Sequence, residues 1–165
     1  MIGLLGVFVI LSFQFRSYAE PLIVMLAIPL AFVGALWGHV LLGWYISMPS
    51  MIGAASLAGI VVNDSILLVQ FIKENRRKGL SAIVAAGQAS RDRLRAILIT
   101  STTTIAGLLP LLAETSVQSA AIKPLVISVV FGLLATTVLV LVMIPAVYVL
   151  FDDWGWTREE LAETE

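Results

Sequence analysis

Residues 21–43, 49–72, 96–113 and 124–151 form apolar runs, each suited to a helix that crosses a lipid bilayer. An α-helix rises about 1.5 Å per residue, so about 20 apolar residues cover a hydrocarbon core of about 30 Å. A helix also pairs its own backbone N–H and C=O groups, which lipid cannot do for it. The run over 96–113 is short and leans on Arg95 and Glu114 as anchors at its two ends. Composition agrees with a bilayer as solvent. Hydrophobic residues make up 59% of the chain, charged residues 13%, and the mean hydropathy is +1.01. A soluble domain carries about 25% charged residues, roughly twice that share. The fold class expected is an all-α membrane protein, a polytopic helical bundle.

A fifth apolar run, 1–15, would extend only about 22 Å as a helix, too short to cross alone. It lacks the basic start and small-residue cleavage site of a signal peptide. It reads as the end of a truncated transmembrane helix, and the chain as a C-terminal part of a larger membrane protein. The expected organisation is therefore this partial helix, four full spans, a basic connection over 73–95 and an acidic tail over 152–165.

Lys and Arg set the orientation. The 73–95 connection holds seven of the ten basic residues: Lys73, Arg76, Arg77, Lys78, Arg91, Arg93 and Arg95. The connection over 44–48 has no charge, and that over 114–123 has one of each sign, Glu114 and Lys123. The positive-inside rule places the basic connection in the cytoplasm, and alternation places Arg16 and the tail there too. Within it, Leu80, Ile83, Val84 and Ala86 or Gly87 suit an amphipathic helix at the membrane surface, with Gly79 as a break; a solvated linker is the alternative. The tail begins with Trp154 and Trp156, residues suited to the interface, and carries no evident chemistry.

The first full span contains Gly34 and Gly38 at four-residue spacing, beside a line of Ala27, Ala31 and Ala35. Small residues so spaced let helix backbones approach closely in lipid. Pro29 is expected to kink this span, and Pro145 and Gly132 to bend the last one. His39, near the outer end, reads as a satisfied interfacial histidine. With no cysteine and one histidine, neither a disulfide nor a metal site is expected. No cofactor is expected either.

The second span holds the residue that composition does not explain. In the apolar length 51–72, Asp64 stands fourteenth of 22 residues, near the bilayer centre. Gly53, Ser56, Ile60, Asn63, Leu67 and Gln70 recur at spacings of three and four and form an expected packing stripe, with Ser56 among its small residues. Asp64 lies about 100° around from Asn63, on the flank of that stripe. A charge at mid-membrane costs roughly 2.5–3.5 kcal/mol on the lenient insertion scale. Asp64 is then either protonated part of the time or paired with a residue of another helix, and both describe a proton or cation site. A neutral carboxyl that joins two helices is the alternative. The third span places Thr100, Ser101, Thr102, Thr103 and Thr104 at similar depth. Such hydroxyls either bond their own helix carbonyls, or line a hydrated path or hydrogen-bond the carboxyl group of Asp64. No Lys or Arg occurs at that depth, so a positive partner for Asp64 is expected from outside this chain.

The stretches "EPLIVMLAIPLAFVGALWGHVLLG", "GIVVNDSILLVQF", "RDRLRAILITSTTTIAGLLPL" and "VLVMIPAVYVLF", in this order, resemble the resistance-nodulation-division (RND) superfamily. The resemblance runs from about residue 1 to residue 151 and is nearest to the hydrophobe/amphiphile multidrug efflux branch of Gram-negative bacteria. It implies the C-terminal transmembrane part of a proton-driven drug/proton antiporter in the inner membrane, multi-pass, with its C-terminus cytoplasmic. It also implies a homotrimer that works with a periplasmic adaptor and an outer-membrane channel. The N-terminal half and the porter domains would be supplied by the rest of the pump. By the same resemblance, Thr100 matches the hydroxyl of the proton relay and Arg93 the arginine at the cytoplasmic mouth. Asn63 matches a position that is lysine in the best-known members, and here it is followed by Asp64. The expected relay is Asp64, Asn63, Thr100 and Arg93, and the expected helix-packing residues are Gly34, Gly38 and Ser56.

Two other classes were weighed. An intramembrane aspartyl protease needs a second facing carboxylate, and no other Asp or Glu stands mid-span, so no enzyme is expected. An RND exporter of lipids or metals, or a fragment that inserts without transporting, remains open. No nucleic-acid partner is expected; the immediate partner is the lipid bilayer. Orientation has a direct check in this cysteine-free chain. A cysteine introduced at Gly79 is expected to resist a membrane-impermeant thiol reagent applied to intact cells, and ready labelling there would reverse the topology.

Overall fold

A computed structural model describes residues 2–15 and 19–154. Arg16, Trp156 and the acidic tail from 155 onward lie outside the described residues. The order of elements is α1 (Ile2–Phe15), α2 (Ala19–Met25), α3 (Ala27–Leu42), α4 (Met48–Arg77), α5 (Ala82–Ala113) and α6 (Val117–Asp153). Together α2 and α3 form one span, Glu20–Leu42, and the other three spans are α4, α5 and α6. The described chain is a bundle of helices, as its apolar runs require.

Each boundary has a local cause. Helix α2 stops at Met25 and α3 resumes at Ala27 because Pro29 has no N–H for the Met25 carbonyl, and its ring crowds that oxygen. Leu26 N–H still bonds the Leu22 carbonyl at 3.1 Å, so the interruption is a kink rather than a loop. Gly43 ends α3 at φ 67°, a left-handed cap. The chain re-enters the bundle at Ser47, whose N–H donates to the Ser50 hydroxyl at 2.6 Å, with Pro49 in the first turn. Gly79, at φ 86°, turns α4 into α5 while its N–H bonds the Arg76 carbonyl at 2.9 Å.

The basic connection is not a separate surface helix. Its second half is the start of α5, which continues into the span without a break. The face that packs is the alanine line Ala82, Ala85, Ala86 and Ala89, whereas Ile83 and Val84 point outward. Alanine wins here because α5 must lie close to the ends of α4 and α6. Asn75 Nδ2 donates to the Ala85 carbonyl at 3.4 Å, and Ser90 Oγ to the Leu141 carbonyl at 3.4 Å.

Helix α6 is the element that α3, α4 and α5 share. Glycines set the spacing. A Cβ at Gly34 would collide with that of Ala135 and lie 3.1 Å from Gly132 Cα. At Gly38 it would collide with Phe131, and at Gly132 with Leu57. At Gly53 it would lie 2.5 Å from the Leu125 carbonyl oxygen. The expected Gly34–Gly38 contact is thus present, with α6 as its partner, and Gly132 serves as a contact point on α6. Ser56 is a correction. It is exposed and donates to the Ile52 carbonyl at 3.0 Å. The buried face of α4 runs instead through Gly53, Leu57, Val61, Ser65, Leu68 and Ile72. That line is offset from the expected stripe because close approach to Leu125 and Gly132 decides which side of α4 faces inward.

At one end of the bundle, ion pairs fasten helix ends together. Lys73 bonds Glu20 at 3.0 Å and donates to the Phe15 carbonyl at 3.2 Å, and Arg76 bonds Asp152 at 2.7 Å. The end of α1, the start of α2 and the ends of α4 and α6 therefore meet on one side, as alternating spans require. Overpacking a close helix contact costs about 1–3 kcal/mol. Gly34→Val and Gly132→Val are each expected to lower the thermal unfolding midpoint in detergent. Gly59→Ala and Gly107→Ala, where an added Cβ meets nothing within 4 Å, are expected to stay near wild type.

Candidate functional site in the membrane core

The expected Asp64, Asn63 and Thr100 come together. With Ile60, Ser101, Thr104 and Leu133 they line one cavity of about 150 Å³ between α4, α5 and α6. Asp64 also borders a second void of about 10 Å³, walled by Val61, Ile97, Leu133, Thr136, Thr137 and Val140. Asp64 thus borders two adjoining spaces, a larger one toward α5 and a smaller one toward α6. Asp64 is half-buried and Asn63 is exposed, because Asp64 lies toward the inward line of α4 and Asn63 away from it.

The hydroxyls around this cavity fall into two kinds. Thr100 Oγ1 donates to the Ala96 carbonyl at 3.1 Å and the Ile97 carbonyl at 3.0 Å, and Thr104 Oγ1 to the Thr100 carbonyl at 2.9 Å. Thr103 bonds the Ile99 carbonyl in the same way. These are the intrahelical bonds that such residues make in lipid. Ser101 instead pairs with Thr137 of α6 at 2.7 Å, a buried bond between two helices. Thr136 and Thr137 donate to carbonyls of their own helix, Gly132 at 2.8 Å and Leu133 at 2.7 Å respectively.

Arg93 stands outside both cavities. Its guanidinium lies 4.6 Å from the centre of the Phe71 ring, a cation–π contact. Phe71 is seven residues from Asp64 along α4, two helical turns or about 10 Å. The ion pairs of the described residues, Lys73–Glu20, Arg76–Asp152 and Lys78–Glu74, do not include Asp64. His39 differs from its reading as a satisfied interfacial residue. It is buried, its Nδ1 meets the Ala35 carbonyl at 3.0 Å, and its Nε2 has no partner among the described residues.

Antiparallel spans put the hydroxyls of residues 100–104 at the depth of Asp64, and the resemblance to the RND superfamily singled out Thr100 among them. The pairing of Ser101 with Thr137 was not foreseen. Only the rotation of α5 and α6 about their axes, set by packing, reveals that these two hydroxyls face each other.

A polytopic helical bundle with a carboxyl in a polar cavity at mid-span defines an integral membrane protein with an ionisable core site. Residues 1–152 match the AcrB/AcrD/AcrF family, and the chain belongs to that family of RND efflux transporters. It is also similar to the crystal structure of a heavy metal efflux pump, at 30% sequence identity and a TM-score of 0.74. That match covers 81% of this chain and 14% of the pump's chain, so the protein described here spans a small part of the pump's length. It is the membrane part of an RND-type transporter.

Proposed function

We propose that this chain is the C-terminal membrane part of a proton-driven efflux pump, with Asp64 as a group whose protonation is coupled to transport. The observation that carries the reading is the shared cavity of Asp64, Asn63, Thr100 and Ser101 at the junction of three helices. A carboxyl there changes charge when it binds a proton, and a charge in a low-dielectric junction alters which helix arrangement is preferred. The protein works as a transporter rather than an enzyme. Asn63 and the hydroxyls are its polar neighbours, and Arg93 supplies a positive charge from the side of the basic connection.

The substrates we propose are hydrophobic or amphiphilic compounds exported by the hydrophobe/amphiphile branch. The export of metal ions is a second reading, favoured by the similarity to a heavy metal efflux pump. In either case the substrate is handled by domains outside this chain. The pump is a homotrimer of the bacterial inner membrane, with the C-terminus of this chain in the cytoplasm. Each protomer includes an N-terminal half and porter domains, and the trimer engages a periplasmic adaptor and an outer-membrane channel. A fragment that inserts without transporting is the alternative.

The test uses the complete transporter in proteoliposomes with an imposed pH gradient. Asp64→Asn keeps shape and hydrogen-bonding capacity but cannot titrate. It is expected to assemble normally while efflux falls to the level of protein-free vesicles. Wild-type efflux by Asp64→Asn would remove Asp64 from the mechanism. The same vesicles, loaded with an amphiphilic dye or a heavy metal ion, distinguish the two substrate readings.

A further inference from the structure

The resemblance places Thr100 in the relay, but the hydrogen bonds point one residue further. A hydroxyl has one proton to give. Thr100 commits its proton to the carbonyls of Ala96 and Ile97, and Thr104 commits its own to that of Thr100. While those bonds are made, these two hydroxyls have lone pairs but no proton for a carboxylate, and among the described residues neither has a second hydroxyl to replace its carbonyl bond, as Thr137 has in Ser101. Ser101 is buried, 4% exposed, and among the described residues its hydrogen-bond partner is Thr137 rather than a carbonyl of its own helix.

Thr137 completes the arrangement. Its Oγ1 lies 2.7 Å from Ser101 Oγ and 2.7 Å from the Leu133 carbonyl, with a single proton for two acceptors. If Thr137 donates to Leu133, the contact with Ser101 is made by the Ser101 proton. If Thr137 turns its proton to Ser101, the Ser101 proton is released. Asp64 shares the larger cavity with Ser101 and the smaller void with Thr137. The other side chains lining the two spaces carry no charge, and Arg93 of α5 stands outside them, against Phe71.

We propose that Ser101, poised by Thr137, is the hydroxyl that answers Asp64 in both of its protonation states. With Asp64 ionised, Thr137 donates to Ser101 and Ser101 donates to the carboxylate. With Asp64 protonated, the carboxyl O–H donates to Ser101, Ser101 to Thr137, and Thr137 to the Leu133 carbonyl. The two hydroxyl protons reorient without leaving their oxygens, and the one proton gained or lost is that of Asp64. Thr137 is the positioning residue. The proposal rests on Asp64 as the titrating group of the coupling path and adds α6 to that path.

The test is infrared difference spectroscopy of the complete transporter in vesicles, titrated with pH, beside proton-driven transport. The carboxyl stretch of Asp64 is identified by its loss in Asp64→Asn. Ser101→Ala is expected to shift that stretch and to slow transport about tenfold or more, the loss expected for one hydrogen bond to a charged group. Ser101→Thr is expected to keep both near wild type, Thr137→Val to shift the stretch, and Thr100→Val to leave it in place. An unshifted band in Ser101→Ala, a shift in Thr100→Val instead, or no band lost in Asp64→Asn would overturn the proposal. Normal transport by Asp64→Asn together with a Ser101-sensitive band would remove the coupling role and leave the pairing intact.

Discussion

The structure depends on how closely α3 and α4 approach α6. Lipid tails are as apolar as leucine, so helices in a bilayer gain little from hiding oily side chains and associate through close packing and polar contacts. Gly34, Gly38, Gly53 and Gly132 supply that closeness, each at a point where a Cβ would enter a neighbouring helix. Once α3 and α4 are drawn against α6, their rotations are fixed. The inward line of α4 then runs through Leu57, Val61, Leu68 and Ile72, and Asp64 is carried to the junction with α5 and α6.

Polar contacts add a second kind of fastening. Ser128 Oγ of α6 donates to the Ser50 carbonyl of α4 at 2.9 Å, near the opposite end of the bundle from the ion pairs. Ser101 and Thr137 join α5 to α6 at mid-depth, and Ser90 reaches Leu141 near the basic end. Lys73 with Glu20 and Arg76 with Asp152 hold the ends, where long basic side chains reach carboxylates while their stems stay among apolar neighbours. Every helix of the bundle beyond α1 is thus tied by glycine contact, hydroxyl or ion pair.

The spans were legible because length and hydropathy are properties of a segment by itself. The kink before Pro29 was legible for the same reason: a missing N–H acts on its own helix. The Gly34–Gly38 contact was half legible, since spacing announces a close approach but not the helix that makes it. Ser56 and the stripe through Asn63 misled because several small and polar residues on α4 offer rival faces. The choice between them lies with Leu125 and Gly132 on α6, 60 or more residues away. In the basic connection the residues that pack against the bundle were not the largest apolar ones. Ile83 and Val84 have the larger apolar side chains, yet the tight junction selected Ala82, Ala85, Ala86 and Ala89. Asp64 with Thr100 was legible by depth and resemblance together, whereas Ser101 with Thr137 needed rotation, which depth does not give.

These fastenings are unequal, and the inequality bears on how a proton could move a helix. Helix α5 is the least enclosed span, with 11% of its most apolar window buried, against 39% for α4 and 56% for α6. Its buried residues fall into the alanine line at the basic end and, deeper in the membrane, Ile97 and Ser101. Glycine contacts, which cannot be loosened by a change of charge, hold α3 and α4 to α6. Helix α5 within the membrane is held through a hydroxyl pair beside the carboxyl. On the proposed reading, a proton arriving at Asp64 therefore acts where the least enclosed span meets α4 and α6. The Ser101–Thr137 bond lies there, so reversing its direction changes the contact that sets α5 against α6 while the glycine-packed helices stay in place.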